Sequence, residues 1–178
     1  PIAKLTSKKY AHDVSKLIEN GEKAAVERLN PFYESKDTTQ VSVVDKEGNA
    51  FSMTHSLGMP SGVITEGLGF MYNGCMGVFD PQPGRAGSLS PGKSRFSSIC
   101  PSILFDQGKL KMVIGAPGGT HIVMGVLQAI LNVVDFKMSI QDAVSVPRFS
   151  GNSPLIDVSN RIPRFITEEL EKMGYPVC

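Results

Sequence analysis

Apolar and polar residues alternate over residues 50–56, and residues 41–44 are mostly β-branched, a pattern typical of paired strands. Residues 45–49 between them are turn formers, so the sequence predicts a hairpin. If residues 46–48 form the turn, counting back along the ladder sets Thr38 opposite Ser56 on one face. A turn one residue shorter would shift the pairing by one, so the pattern predicts proximity rather than contact.

A second hairpin is predicted from residues 101–105 and 110–115, joined by a turn at 106–109. Residues 57–94 are rich in Gly and Pro, which predicts long ordered loops with short strands. Apolar residues then recur every three or four positions over about fifteen residues from Thr120, and the positions between them are also mostly apolar. We expect this helix to be buried.

Three further helices are predicted. The first runs from the N-cap Ser7 to about residue 29, with a break favoured at Asn20 and Gly21. The second is short and opens with a capping pair of Ser139 and Asp142, and the third covers residues 163–173. Residues 30–37 lack periodicity and are interpreted as a linker. Hairpins followed by helices predict an α+β layered domain with antiparallel sheets.

The composition of the chain limits the classes of protein to which it can belong. The 178 residues, 41% of them apolar, suit one globular domain, and 18 basic against 17 acidic residues without long charged blocks argue against a nucleic-acid partner. The sequence contains neither an apolar run long enough to span a membrane nor a recognisable metal motif among its histidines and cysteines, so no membrane span, metal or cofactor is predicted. Because the chain begins at Pro1 and stops at Cys178, we expect it to be part of a longer protein, and the compartment stays undetermined.

Thr38 is the first candidate catalytic residue. Two threonines that enter a strand are usually only β-formers, so the residue pair alone is a weak signal. Thr38 lies, however, at the junction of a polar linker and a strand. If the bond after Asp37 were cleaved, the new α-amine, with a pKa of about 8, could accept the proton of the threonine hydroxyl.

Two further segments have both a structural and a catalytic interpretation. Gly118 and Gly119 precede the apolar helix, where they form either a tight turn or an oxyanion hole made of backbone N–H groups. Ser97 and Ser98 precede a strand, where they either cap a loop or bind a substrate carboxylate.

At these residues the sequence resembles the γ-glutamyltranspeptidase family, N-terminal-nucleophile hydrolases that cut themselves just before a threonine. The resemblance rests on the segments DTTQVSVVDKEGN, PGKSRFSSICPSI, GAPGG and DAVSVPRF, and on residues 5–18, which are similar to the last helix of the family's large subunit. It implies a four-layer αββα sandwich. Residues 1–37 would then belong to the end of the large subunit and residues 38–178 to a truncated small, catalytic subunit.

The resemblance also implies roles for individual residues. Thr38 would be the nucleophile, with Asp37 and Thr38 flanking the cleaved bond, and Ser56 would support the nucleophile where the family usually has a threonine. Gly118 and Gly119 would form the oxyanion hole. By the same resemblance, the donor's α-carboxylate would be bound by Ser97 and Ser98.

The sequence departs from the family in the loop that holds the donor's α-ammonium. The family has N-x-Q-M-D-D-F there, whereas this chain has Asn73 followed by Cys75, Gly77 and Val78. Gly58 also replaces an asparagine. Loss of a charge-assisted hydrogen bond removes about 1.5–3 kcal/mol, so we expect weaker recognition of an α-amino group. Asn73 and Cys75 stay candidates for substrate binding, and the loop resembles that of family members that act as acylases.

Three hypotheses remain open on sequence grounds. The first is a self-processing threonine amidohydrolase acting on γ-glutamyl or related acyl amides. The second is a non-catalytic or unprocessed homologue that serves as an assembly or binding module, and the third is a true glutathione transpeptidase. The resemblance implies a large subunit from the same precursor as partner and a dimer of such heterodimers.

Overall fold

The computed structural model describes residues 2–24, 37–152 and 154–178. Within these ranges the architecture is α+β, as predicted, with each strand paired in a two-stranded antiparallel sheet. The helices are α1 (Ile2–Leu5), α2 (Lys8–Glu19), α3 (Ile122–Val134), α4 (Ile140–Ser145) and α5 (Arg164–Lys172). The paired strands are β1 (Thr38–Val44) with β2 (Ala50–Ser56), β3 (Pro60–Ile64) with β4 (Met71–Asn73), β5 (Ser102–Asp106) with β6 (Lys109–Ile114), and β7 (Phe149–Ser150) with β8 (Asp157–Val158).

The β1–β2 hairpin has the predicted register, with Thr38 opposite Ser56. Its turn is closed by Asp45, whose carboxylate accepts hydrogen bonds from the backbone N and the Nδ2 of Asn49 at 2.8 and 2.7 Å. The side-chain bond from Asn49 lowers the pKa of Asp45. Gly48 completes the turn with φ +87°, a value that favours glycine. Local turn chemistry therefore fixes which residues of the two strands meet.

The two faces of this hairpin differ in burial. Ser52, Thr54 and Ser56 are half-buried, whereas the intervening Phe51 and Met53 are exposed. The polar face packs toward the second hairpin, because the Ser52 hydroxyl donates to the carbonyl of Ile114 at 3.1 Å. The side of the hairpin that carries Thr38 is therefore the side that meets β6.

The β5–β6 hairpin closes through a turn of two central residues. Asp106 pairs with Lys109, which leaves only Gln107 and Gly108 as turn residues, at φ +49° and +78°. Positive φ at both central positions is typical of a type I′ turn, whose twist matches that of the flanking strands. The turn therefore lies at the predicted residues 106–109, and only the strand ends differ, since Asp106 and Lys109 already belong to the strands.

Helix α3 is buried on one face only. Ile122, Val126 and Ala129 are 2–3% exposed, but Val123 and Leu127 on the other side are 46% and 44% exposed. The expectation of a wholly buried helix was therefore wrong for the described part of the chain. The sequence makes α3 apolar on all sides, whereas the described elements that pack on it, which include α4, β7 and the β5–β6 hairpin, cover one side.

Helices α2, α4 and α5 follow their predicted signals, whereas the short α1 was not predicted. Ser7 caps α2 by accepting from the backbone N of Tyr10 at 3.1 Å, and the helix ends before Gly21, which has φ +78°. Ser139 caps α4 through the backbone N of Asp142. The predicted continuation of the first helix at residues 25–29 and nearly all of the predicted linker lie outside the described residues.

No helix in the described ranges has both the length and the apolar character required to cross a membrane. Residues 57–94 form loops around the short strands β3 and β4, as predicted, and also contain a 3₁₀ turn at Cys75–Val78.

Candidate active site

Thr38 and Ser56 contact each other directly. The Thr38 hydroxyl donates to Ser56 Oγ at 2.8 Å, and the backbone N of Gly58 donates to the same oxygen at 2.9 Å. Ser56 is therefore held by the chain that follows it while it orients the hydroxyl opposite. A hydroxyl fixed in one rotamer is better placed to attack a carbonyl carbon than a freely rotating one.

The loop that leads to α3 has backbone angles that glycine favours. Gly118 has φ +135° and Gly119 has φ +55°, and the Gly118 carbonyl accepts from the backbone N of His121 at 3.0 Å. A 3₁₀ turn at Gly119–His121 then runs into α3. The first N–H groups of a helix lack intrahelical partners and carry partial positive charge, so this position suits an anionic oxygen.

The same loop starts beside the hairpin that carries Thr38. The bond from Ser52 to the Ile114 carbonyl joins β2 to the end of β6, one residue before Gly115. Because Ser52 and Ser56 lie on the same face of β2, the loop begins on the face that carries the pair Thr38 and Ser56.

Ser97 and Ser98 differ in their contacts. The Ser98 hydroxyl donates to the Gly119 carbonyl at 2.6 Å, so the structure brings Ser98 to the glycine loop. Ser97 is exposed, and its Oγ accepts from the backbone N of Ile99 at 3.3 Å, a local capping contact. The proposed carboxylate-binding role of the pair stays a prediction.

Asn73 and Cys75 lie beside the segment that follows Ser56. Asn73 Oδ1 accepts from the backbone N of Cys75 at 3.1 Å, and the Cys75 thiol donates to the Leu57 carbonyl at 3.4 Å. Gly58 permits this approach, because a Cβ there would lie 2.8 Å from Cys75 Sγ. Cys75 therefore fills the space that a side chain at position 58 would need.

Acidic side chains are absent from the 3₁₀ turn at Cys75–Val78. Asp80, the next acidic residue along the chain, is already engaged. One carboxylate oxygen lies 3.3 Å from Arg85 Nη1, and the other accepts from the backbone N of Gln82 at 2.8 Å. A substrate ammonium at this turn would thus have to compete with Arg85 for the Asp80 carboxylate.

A cleft of about 300 Å³ lies elsewhere, between α3 and the β7–β8 sheet. Its Arg148 and Arg161 donate to the carbonyls of Val144 and Ser145 at 2.7 and 2.6 Å, which ties this region to α4. None of the predicted site residues lines this cleft.

In the described ranges, three or more His, Cys, Asp and Glu side chains nowhere cluster as a metal site would require. Burial raises the pKa of the Cys100 thiol, which disfavours its nucleophilic thiolate.

A family model described as Gamma-glutamyltranspeptidase matches residues 1–177. The chain belongs to this family. Its relatives include the acylase ACY 1 proenzyme of Pseudomonas sp. (strain SE83), 35% identical over 99% of the chain, and the glutathione hydrolase proenzyme of Pseudomonas aeruginosa, 32% identical over 98%. The chain covers 32% and 34% of these two proteins, so it spans about a third of their length.

Solved structures of the γ-glutamyltranspeptidase family confirm the predicted N-terminal-nucleophile-hydrolase fold. The T380A mutant of the Helicobacter pylori γ-glutamyltranspeptidase is 34% identical, covers 79% of this chain and 83% of its own, and has a TM-score of 0.72. The cephalosporin acylase of Bacillus halodurans is 26% identical, covers 100% of this chain and 32% of its own, and has a TM-score of 0.82. Both acylases and transpeptidases thus share the fold of this chain.

Gln40 and Gly115, which connect the two hairpins, were not predicted as site residues. The side chain of Gln40 lies where a Cβ on Gly115 would be. Two signals were available in the sequence: a polar residue two positions after Thr38, and therefore on its face, and a glycine immediately after β6.

Ser56→Ala should lower kcat/KM for amide hydrolysis about fivefold, because the Thr38 hydroxyl loses its acceptor and a hydrogen bond contributes roughly 1 kcal/mol. Ser56→Thr keeps a hydroxyl and should retain most of the activity. Steady-state kinetics of the whole protein check both variants. Equal rates for Ser56→Ala and wild type, or equally slow rates for Ser56→Ala and Ser56→Thr, would contradict a supporting role.

Proposed function

We propose that this chain carries the nucleophile of a self-processing threonine amidohydrolase that cleaves γ-glutamyl or related acyl amide bonds through an acyl-enzyme. The observation that carries this proposal is the 2.8 Å hydrogen bond between Thr38 and Ser56 on the face where the glycine loop begins. Membership of the family supports it, as do relatives named proenzymes and a solved γ-glutamyltranspeptidase described as undergoing autoprocessing.

In the proposed maturation, Thr38 Oγ1 attacks the carbonyl carbon of Asp37. The C–N bond of the peptide breaks, the threonine nitrogen becomes an amine, and water then hydrolyses the ester to release the Asp37 carboxylate. Asp37 is exposed, which suits entry of that water. Residues 1–37 would end a large subunit and residues 38–178 would form part of the small subunit. Three transpeptidase structures each cover 79% of this chain, and residues 38–178 make up the same fraction of its length.

In the proposed turnover, the α-amine of Thr38 takes the proton from its hydroxyl as the oxygen attacks the substrate carbonyl. The backbone N–H groups of Gly118 and Gly119 hold the oxyanion, and the amide nitrogen leaves with the proton. Water or an acceptor amine then attacks the acyl ester on Thr38 and regenerates the hydroxyl. We further propose that two such heterodimers associate.

We propose that the preferred substrate has an acyl group without an α-ammonium. Val78 and Gly77 offer no charge to such a group, and the carboxylate of Asp80 is held by Arg85. The match to an acylase over 99% of the chain agrees with this preference, although the glutathione hydrolase matches nearly as well.

We expect the whole protein to hydrolyse a glutaryl anilide at least as fast as a γ-glutamyl anilide, because the two substrates differ only in the α-amino group. Val78→Asp should then raise kcat/KM for the γ-glutamyl anilide relative to the glutaryl anilide by about tenfold or more, through a new charge-assisted bond. Steady-state kinetics with both anilides measure the ratio.

Gly77→Asp is the matched control, since it adds the same charge one residue earlier and should change the ratio less. A wild-type preference of tenfold or more for the γ-glutamyl anilide would contradict this substrate assignment and favour a glutathione transpeptidase. Absence of amidase activity on either anilide, in a chain that also stays uncut, would favour the binding module.

A further inference from the structure

Gln40 lies at the centre of a polar cluster on the face of β1 that also carries Thr38. Its Oε1 accepts from the Thr54 hydroxyl at 2.5 Å. Its Nε2 faces three acceptors, the Val41 carbonyl at 2.9 Å, Ser42 Oγ at 3.0 Å and Ser52 Oγ at 3.1 Å. The amide of Gln40 is thereby held in one orientation by both strands of the hairpin.

This cluster reaches the second hairpin at two points. Ser52, which accepts from Gln40, donates in turn to the Ile114 carbonyl. The second point is Gly115, the residue after Ile114. A Cβ on Gly115 would overlap the Gln40 amide, because it would lie 2.7 Å from Nε2 and still closer to Cδ and Oε1. Gln40 therefore packs directly on the backbone of the residue that opens the glycine loop.

We propose that Gln40 is a positioning residue that sets the distance between the nucleophile Thr38 and the oxyanion loop, an inference that rests on the proposed function. Gln40 lies two residues from Thr38, about 7 Å along the strand. Gly115 lies three residues before Gly118, and Pro117 between them has a restricted φ. A displacement at Gly115 is therefore transmitted to Gly118, and a misplacement of about 1 Å can cost about 10²-fold in rate.

The alternative is that Gln40 only holds the two hairpins together. In that case its loss would lower stability and the yield of cleaved enzyme, while each cleaved molecule would keep its normal rate. A positioning role instead lowers the rate of each cleaved molecule. The measurement that separates the two is kcat normalised to the amount of chain cut before Thr38, which intact-mass analysis counts.

Gln40→Glu tests this with little change in shape. The variant keeps an acceptor for Thr54 but replaces the donor that faces Ser52, so the Ser52 hydroxyl can turn from Ile114 toward the new carboxylate. In the whole, processed protein we expect kcat per cleaved molecule to fall about 10- to 100-fold, with KM for the anilide changed less than about threefold. Ser42→Ala is the control, because it removes a contact of Gln40 on its own strand and leaves the Ile114 bond in place.

A second pair of variants tests the contact itself. Gly115→Ala alone should lower kcat at least tenfold, because its methyl group collides with the Gln40 amide. Gln40→Ala removes the obstacle, so the double variant should lose no more activity than Gln40→Ala alone. The pH dependence of kcat/KM should keep its midpoint in Gln40→Ala and Gly115→Ala, since neither variant places a new charge near the α-amine of Thr38.

Normal kcat per cleaved molecule in Gln40→Glu and Gln40→Ala would overturn the positioning role while leaving the amidohydrolase intact. Fully additive losses in the double variant would overturn it as well. A wild-type protein that is neither cut nor active would overturn both this role and the proposed function.

Discussion

Thr38→Ala should leave the bond after Asp37 uncut and lower amide hydrolysis by about 10⁴-fold or more. Alanine has no hydroxyl to attack the Asp37 carbonyl, and it cannot accept the acyl group of a substrate. Because the same oxygen serves both reactions, the two losses should occur together. Intact-mass analysis of the whole protein should show two chains for the wild type and one for Thr38→Ala.

Thr38→Ser and Thr39→Ala are the informative controls. Serine keeps the hydroxyl and should restore cleavage, at least slowly. Thr39 is exposed and its side chain lies on the opposite face of β1, so its removal should leave cleavage and hydrolysis close to normal. A Thr38→Ala chain that is still cut at this bond would refute the assignment of the nucleophile.

The register of Thr38 and Ser56 was predictable because it depends on local chemistry. The turn at Asp45 and Asn49 closes through bonds between residues four apart, and the period of two along each strand carries that register to the strand ends. Capping by Ser7 and Ser139 was predictable for the same reason. Thus the proximity of Thr38 and Ser56 followed from a stretch of fewer than twenty residues.

Contacts between distant segments were not predictable in the same way. Ser98 donates to the Gly119 carbonyl across 21 residues, and Gln40 meets Gly115 from a different hairpin. Periodicity shows which side chains share a face but not which segment packs on that face. The one-sided burial of α3 has the same origin, since its apolar composition gave no information about which of its sides the neighbouring elements cover.

Gly118→Ala should lower kcat about 10²- to 10³-fold, the usual cost of removing one oxyanion-hole donor. At φ +135°, Gly118 has a backbone conformation that an alanine Cβ strongly disfavours, so the substitution should rotate the peptide planes of the loop. KM should change less than kcat, because the N–H groups bind the oxyanion of the transition state more strongly than the ground-state carbonyl. Steady-state kinetics on cleaved protein measure both.

Gly125→Ala provides the matched control. Gly125 lies inside α3, and a Cβ added to it would meet no atom within 4 Å. Alanine is also a better helix former than glycine at this position, so activity should persist.

The kcat of Gly119→Ala should lie between those of Gly118→Ala and Gly125→Ala. Its φ of +55° falls in the left-handed region, which costs a non-glycine residue only about 1–2 kcal/mol and leaves the peptide planes nearly in place. We therefore expect the loss of kcat to be largest in Gly118→Ala, smaller in Gly119→Ala and smallest in Gly125→Ala. This order follows the backbone angles, because the added methyl group is the same in all three variants. Normal kcat in Gly118→Ala would show that the loop only joins β6 to α3.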